Sequence, residues 1–419
     1  MKIVKKIIII LGFVLILNTL VSANETSNIN NSKWKVSGEF KNRIFNIKKE
    51  KQNRENYDET GDFASLELKI RYKNNNFGFN VVPYIYKSKM TGDSKLKNSN
   101  FYEPFESEDF FFRGLYGTYN FTPNFLAGFG IVPMGNGFPM EYTKDYVSDG
   151  VGLSIMSDID PLGLFFNYKI NQEQSLFFSL SQIDTMGIPA GTYVVDQIKD
   201  KTKGFAVLHK YNNGKIKTTT EYVYTDVYYT DIKISTTSAF GFGIAYDDSE
   251  NSGWTIYDTV GVSYIKNNSS KAKDIMMKDG NIPTGTDLAY PSSFNWGTGE
   301  RQTGAANLLG IRKDFETFGT DSFLNFEWFH TEGDWISSNV GAPYTGNCNQ
   351  IYNIRNNSYF INYGYRLGKN MFMQLNYTYL EFDDAQQVGG MGTTVPQNEF
   401  IGIQRVNTEI TKLIFSYKF

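Results

Sequence analysis

Short segments in which apolar and polar residues alternate recur from about residue 33 to residue 419, and the joins between them are alternately short and long. A period of two is the mark of a strand with two unlike faces. The segments lie at about 33 to 47, 61 to 73, 77 to 88, 109 to 121, 125 to 134, 161 to 170, 175 to 183, 203 to 211, 215 to 227, 236 to 246, 254 to 265, 303 to 313, 322 to 330, 358 to 367, 371 to 382 and 407 to 419. These sixteen strands predict an all-β fold, a transmembrane antiparallel β-barrel.

The alternation fixes which side chains share a face. In the second strand Leu66, Leu68, Ile70 and Tyr72 oppose Ser65, Glu67, Lys69 and Arg71. In the fourteenth, Tyr359, Ile361, Tyr363 and Tyr365 oppose Ser358, Asn362, Gly364 and Arg366. The apolar sets are expected to face lipid. The seven short joins, at 74 to 76, 122 to 124, 171 to 174, 212 to 214, 247 to 253, 314 to 321 and 368 to 370, are rich in Asn, Asp, Gly and Pro, as tight turns require. Eight longer loops alternate with them, at about 48 to 60, 89 to 108, 135 to 160, 184 to 202, 228 to 235, 266 to 302, 331 to 357 and 383 to 406. Short periplasmic turns and long external loops are the pattern of a transmembrane barrel. Val151 to Ile155 also looks strand-like, but counting it would break this alternation, so it is placed inside the third external loop or above the sixth strand.

The N-terminus carries Lys2, Lys5 and Lys6, an apolar run from Ile7 to Leu17, and small residues at Val21, Ser22 and Ala23. This order predicts a cleavable signal peptide over residues 1–23. Cleavage after Ala23 leaves 396 of the 419 residues and, because three Lys and no acid are lost, moves the formal charge from −3 to −6. No later stretch has the ~18 consecutive apolar residues of a spanning helix, and mean hydropathy is −0.37. In a barrel the two faces cancel in any such average. The 34 Phe and 28 Tyr fit strands and aromatic girdles. The single cysteine, Cys348, excludes an internal disulfide, and with two His beside it a structural zinc site is not expected. No linker divides residues 24–419, which read as one barrel domain.

On the last strand Leu413, Phe415, Tyr417 and Phe419 alternate with Lys412, Ser416 and Lys418. This pattern resembles the C-terminal signature of Gram-negative outer-membrane barrel proteins, in which the terminal strand is read by the barrel-assembly machinery. Strand count and size are similar to the general diffusion porins, which implies a pore for small hydrophilic solutes, an outer-membrane location and a homotrimer. It also implies a third external loop that folds into the lumen. The Pro-Glu-Phe-Gly-Gly motif of enteric porins is absent from that loop.

In such a pore, acids on an inserted loop face bases on the wall, and the transverse field sorts solutes by charge. Loop 135 to 160 supplies Glu141, Asp145 and Asp149, with Asp158 and Asp160, against one base, Lys144. By strand parity Arg43, Lys69, Arg71 and Arg113 project inward from the first, second and fourth strands. Arg312 and Arg366 face inward near the periplasmic ends. The expected function is passive diffusion with a weak cation preference.

Other classes were weighed against this one. The basic external run from Lys48 to Arg54 suits lipopolysaccharide phosphates or plain solvation. His330, with Glu332 and Asp334 beyond it, is thin support for an enzyme, because His209 falls near the other end of the barrel. A plugged transporter, for fatty acids or metal chelates, needs more than the nine residues Asn24 to Ser32 ahead of the first strand. Adhesion or phage reception by loops 266 to 302 and 331 to 357 remains compatible with a pore. No cofactor, metal or nucleic acid is expected as a partner. Lipids, lipopolysaccharide, the assembly machinery and the solutes are.

Overall fold

The computed structural model describes residues 32–51, 57–91, 108–132, 134–135, 158–159, 162–182, 203–229, 232–267, 301–333, 356–382 and 406–419. In chain order the strands are β1 (Ser32–Lys51), β2 (Tyr57–Asn74), β3 (Phe77–Thr91), β4 (Glu108–Thr122), β5 (Phe125–Ile131), β6 (Met134–Gly135), β7 (Asp158–Ile159), β8 (Leu162–Lys169) and β9 (Gln174–Gln182). They continue as β10 (Lys203–Asn212), β11 (Ile216–Tyr229), β12 (Ile232–Asp248), β13 (Trp254–Asn267), β14 (Arg301–Thr317), β15 (Thr320–Gly333), β16 (Asn356–Arg366), β17 (Met371–Phe382) and β18 (Val406–Lys418). Sixteen of them close into one antiparallel barrel, each paired with its neighbours in sequence, and β18 returns to β1. Each of the sixteen expected segments corresponds to one wall strand.

Between β5 and β8 the wall is continuous, because Phe125, Ala127, Phe129 and Ile131 pair directly with Tyr168, Phe166, Leu164 and Leu162. No seventeenth strand intervenes there, as the alternation of turns and loops required. Val151 to Ile155 lie outside the described residues. Flanking them, β6 and β7 form a separate two-stranded ladder, Met134 with Ile159 and Gly135 with Asp158. The described loop ends therefore leave the wall as a paired ribbon.

A barrel has no edge strand, so the backbone donors of the wall find partners on the neighbouring strands, except where the ladder shifts beside Val82, Asn120 and Val227. The burial pattern follows period two. On β18 Lys412, Ile414 and Ser416 are buried toward the lumen, whereas Phe415, Tyr417 and Phe419 are exposed on the outside. On β13 Thr255, Tyr257, Thr259 and Ser263 point inward, and Trp254, Ile256, Val260, Val262 and Tyr264 point out. Aromatic residues gather at the periplasmic ends: Trp34, Phe77, Tyr119, Phe121, Tyr168, Tyr246, Trp254 and Tyr417 are all exposed on the outer face. Amphipathic rings favour the height of the lipid headgroups.

Three of the tight turns are closed by several of their own side chains. Asn171 Oδ1 accepts from the amides of Glu173 and Gln174 at 2.9 and 2.8 Å. Asn212 and Asn213 do the same for Gly214 and Ile216 at 2.8 and 2.7 Å. Asp248 Oδ1 at the foot of β12 accepts from Asn251 Nδ2 at 2.9 Å and pairs with Lys215 Nζ at 3.0 Å. These partners, Asn251 first and then Ser252 and Lys215, hold its carboxyl down to about 2.

The join expected over 314 to 321 is shorter than the sequence suggests. Strands β14 and β15 continue to Thr317 and Thr320, leaving only Phe318 and Gly319 between them, with φ of 52° and 72°. Two consecutive left-handed residues match the right-handed twist of a hairpin, and glycine accepts that conformation at no steric cost. Phe318 does not, and its ring stands 95% exposed at the tip.

Candidate functional site: the lumen wall

The bases expected on the wall lie on one side of the barrel, across β1, β2 and β4. Glu67 on β2 is their common acceptor: Lys69 Nζ lies 2.8 Å from Oε1 and Arg113 Nη1 lies 3.2 Å from Oε2. Arg113 reaches it because a register shift between Val82 and Pro83 lets β4 carry an extra residue there, with Gly114 opposite Val82 and Phe112 opposite Pro83. A bulge of this kind turns a side chain that strict alternation would aim elsewhere. Arg113 also stands over the Tyr84 ring at 6.0 Å.

Arg43 is 3% exposed and donates to Ser65 Oγ at 3.4 Å. It is part of the packed wall rather than a free lumen charge. Arg71, facing Lys35 and Asn80 in register, is exposed. The four expected bases are thus brought together, but they differ in use. Lys69 and Arg113 are shared with Glu67, Arg43 is packed, and Arg71 stands in the open lumen. Glu67 itself was not singled out from the sequence, although it shares the inward parity of Ser65, Lys69 and Arg71. Glu141, Asp145 and Asp149 lie outside the described residues, as do Cys348 and Asp334.

A second polar cluster lies on β13 to β15. Tyr257 crosses Gly310, its register partner on β14, and its hydroxyl sits 2.5 Å from Glu327 Oε1 and 3.0 Å from Asn325 Oδ1 on β15. Asn325 Nδ2 donates to the same Glu327 oxygen at 2.8 Å. A Cβ on Gly310 would stand 2.1 Å from the Tyr257 ring, so only glycine leaves room for the crossing. Phe323 crosses Gly364 in the same way, with Arg312 4.3 Å above its ring. Arg312 is held by Asp314, Nη2 to Oδ1 at 2.6 Å. Both expected inward arginines near the periplasm are engaged, since Arg366 pairs with Asp321 at 3.0 Å. The sequence signal for this cluster was the Gly-aromatic opposition, which becomes visible only once register is known.

His330 faces outward at the external rim, with Nδ1 2.9 Å from Asn357 Oδ1 and Nε2 3.2 Å from Glu332 Oε1. It stacks on Trp328 at 5.7 Å. Both ring nitrogens are engaged with rim neighbours, and His209 lies on β10 near the periplasmic end. Among the described residues no three His, Cys, Asp or Glu side chains are grouped to hold a metal, and no helix is long and apolar enough to cross a membrane.

No protein-family model matches the sequence, and no curated protein matches it. Solved structures do match in fold. An anion-selective porin from Comamonas acidovorans superposes with a TM-score of 0.50 at 10% identity, covering 93% of this chain and 100% of that one. Outer-membrane expressed OmpT of Vibrio cholerae gives a TM-score of 0.50 at 9% identity, over 94% and 99%. At this identity the likeness speaks for architecture. Together with the closed ring, the apolar exterior and the aromatic belt, it makes this chain a sixteen-stranded transmembrane β-barrel of the outer-membrane porin fold.

Proposed function

We propose that the chain is exported through a signal peptide cleaved after Ala23 and forms a water-filled pore in the outer membrane. Ions and small hydrophilic solutes cross it by passive diffusion. The observation that carries this reading is the inward row of Lys69, Arg71 and Arg113 around Glu67, a charged wall inside a closed ring of sixteen strands. A barrel of that strand number is wide enough for an aqueous channel. Fixed charge facing the lumen costs nothing to hydrate there and sets a field across the path of a solute.

In this reading loop 135 to 160 enters the lumen, and Glu141, Asp145 and Asp149 face the bases across the constriction. The loop acids give the pore a weak cation preference. No catalytic step is assigned to the barrel. Its outward strand face at Leu413, Phe415, Tyr417 and Phe419 is the surface offered to the assembly machinery, and the working unit is a homotrimer.

The test is conductance of the refolded mature protein in a planar bilayer. Discrete nanosiemens-scale steps are expected. A folded barrel that inserts and gives no steps would overturn the pore in favour of a plugged or adhesive barrel.

A further inference from the structure

The outer face of the barrel is apolar nearly all the way round in its periplasmic half. Within six residues of the periplasmic strand ends, β1 presents Trp34 and Val36, β3 Phe77, Phe79 and Val81, and β8 Leu164, Phe166 and Tyr168. Strands β16 to β18 present Tyr363, Tyr365, Leu375, Phe415 and Tyr417. One sector differs. On β10 and β11 the outward positions include His209, Thr218 and Thr220, and on β13 they include Asp258. Nearby, Lys313 is turned to the Ser252 carbonyl in the periplasmic turn, and Ser322 is buried.

The strand and register neighbours of Asp258 are apolar. Ile256 and Val260 flank it on its own strand, Ile244 pairs with it on β12 and Leu309 on β14, and all four are exposed on the outer face. Four residues above Trp254, it lies roughly 13 Å along the strand from the headgroup level. Its described hydrogen bond comes from Asn307 Nδ2 at 2.7 Å, another polar side chain on the same face. A carboxylate offers about four acceptor positions, and hydrocarbon supplies none.

We propose that the outward face of β10 to β14 is the interface between copies of this chain, with Asp258 of one copy against His209 of the next. An imidazole supplies the donor, and when protonated the charge, that the carboxylate needs. The two lie at matching depth, His209 three residues above the end of β10 and Asp258 four above the start of β13. Their angular spacing also fits. Sixteen strands share the full turn, so three strand steps from β10 to β13 span about 67°. In a ring of three round barrels the directions to the two neighbours differ by about 60°, because the three centres form an equilateral triangle, and each interface is head-to-tail. A twofold dimer centred between β11 and β12 would instead hold the same pair twice in one interface, and linkage would then stop at two copies.

This inference rests on the membrane-embedded barrel and the trimer proposed above, and not on conductance. The test uses the full mature chain in a Cys348→Ser background, with His209→Cys and Asp258→Cys introduced singly and together, oxidised in outer membranes. A second pair, Thr220→Cys with Val260→Cys, keeps Asp258 and His209 in place. Disulfide-linked oligomers up to three copies are expected only when both members of a pair are present. Asp258→Leu should lose the trimer in detergent while the barrel still shifts in mobility on heating.

A heat-modifiable wild-type barrel of monomeric mass, a trimer that Asp258→Leu leaves intact, or linkage by Asp258→Cys alone would each overturn the interface. A wild-type chain with no heat-modifiable form would sink the barrel reading itself.

Discussion

Gly38 and Phe419 exchange both backbone hydrogen bonds at the seam of the barrel, Gly38 N to Phe419 O at 2.8 Å and Phe419 N to Gly38 O at 3.0 Å, and the Phe419 ring lies over the Gly38 α-carbon. A Cβ at Gly38 would stand 2.5 Å from the ring and 2.9 Å from the Glu67 carbonyl oxygen. The final aromatic therefore has a place in the finished wall as well as any part in assembly.

Gly38→Val is expected to destabilise the barrel by about 1–3 kcal/mol, the usual range for forcing atoms into a packed site. Phe419→Ala in the same chain should recover part of that loss, because it removes the nearer obstacle and leaves the Glu67 carbonyl. Urea unfolding of all three variants in lipid vesicles checks it. Strict additivity would mean the ring and the glycine are not coupled.

On the opposite face of the wall, Gly310→Ala should cost about 1–3 kcal/mol by displacing the Tyr257 ring. Tyr257→Phe should cost about 1–3 kcal/mol for a different reason, since it strips a buried Glu327 of its hydroxyl donor. Glu327→Gln combined with Tyr257→Phe is expected to be milder than Tyr257→Phe alone. Thermal loss of the compact form on unheated gels ranks the three.

Neutralising Glu141, Asp145 and Asp149 together should lower cation preference in reversal-potential measurements. Neutralising Lys69 and Arg71 should move the reversal potential the other way. An unchanged potential in the first variant would remove loop 135 to 160 from the constriction.

Asp248 gives a pH expectation with a definite sign. Its carboxyl is held down to about 2 in the folded turn, below the ~3.9 of an unfolded chain. A depressed folded value adds stability that is full above about pH 4 and is lost as pH falls toward 2. Asp248→Asn should flatten that part of the acid limb and leave neutral-pH folding intact. Carboxyl NMR of the wild type should show a midpoint near 2, and a midpoint near 4 would mean the Asn251 and Lys215 contacts do not persist.

Strand number, face and turn order were legible because each rests on period two and on Asn, Asp, Gly and Pro at the joins. The hairpin tip at Phe318 was not, since a phenylalanine with positive φ is no turn signal and the apparent join of eight residues is mostly strand. Lys69 and Arg71 could be aimed inward by counting. Arg113 shares the parity of Leu115 and Tyr119, which face outward lower on its strand, and its reach to Glu67 depends on the bulge beside Pro83. Asp258 is a polar residue on the apolar beat between Ile256 and Val260, but its apolar neighbours Ile244 and Leu309 lie on other strands and emerge only with the register.

The seam also orders events in time. Residues 38 and 419 are neighbours in the wall but are among the most distant points of the chain. Until the whole intervening length has been synthesised and carried across the inner membrane, β1 has no partner on one side, and every shorter intermediate bears two raw sheet edges. Such edges invite pairing with any strand they meet. A wall closed this way keeps two open edges until its last strand pairs with its first.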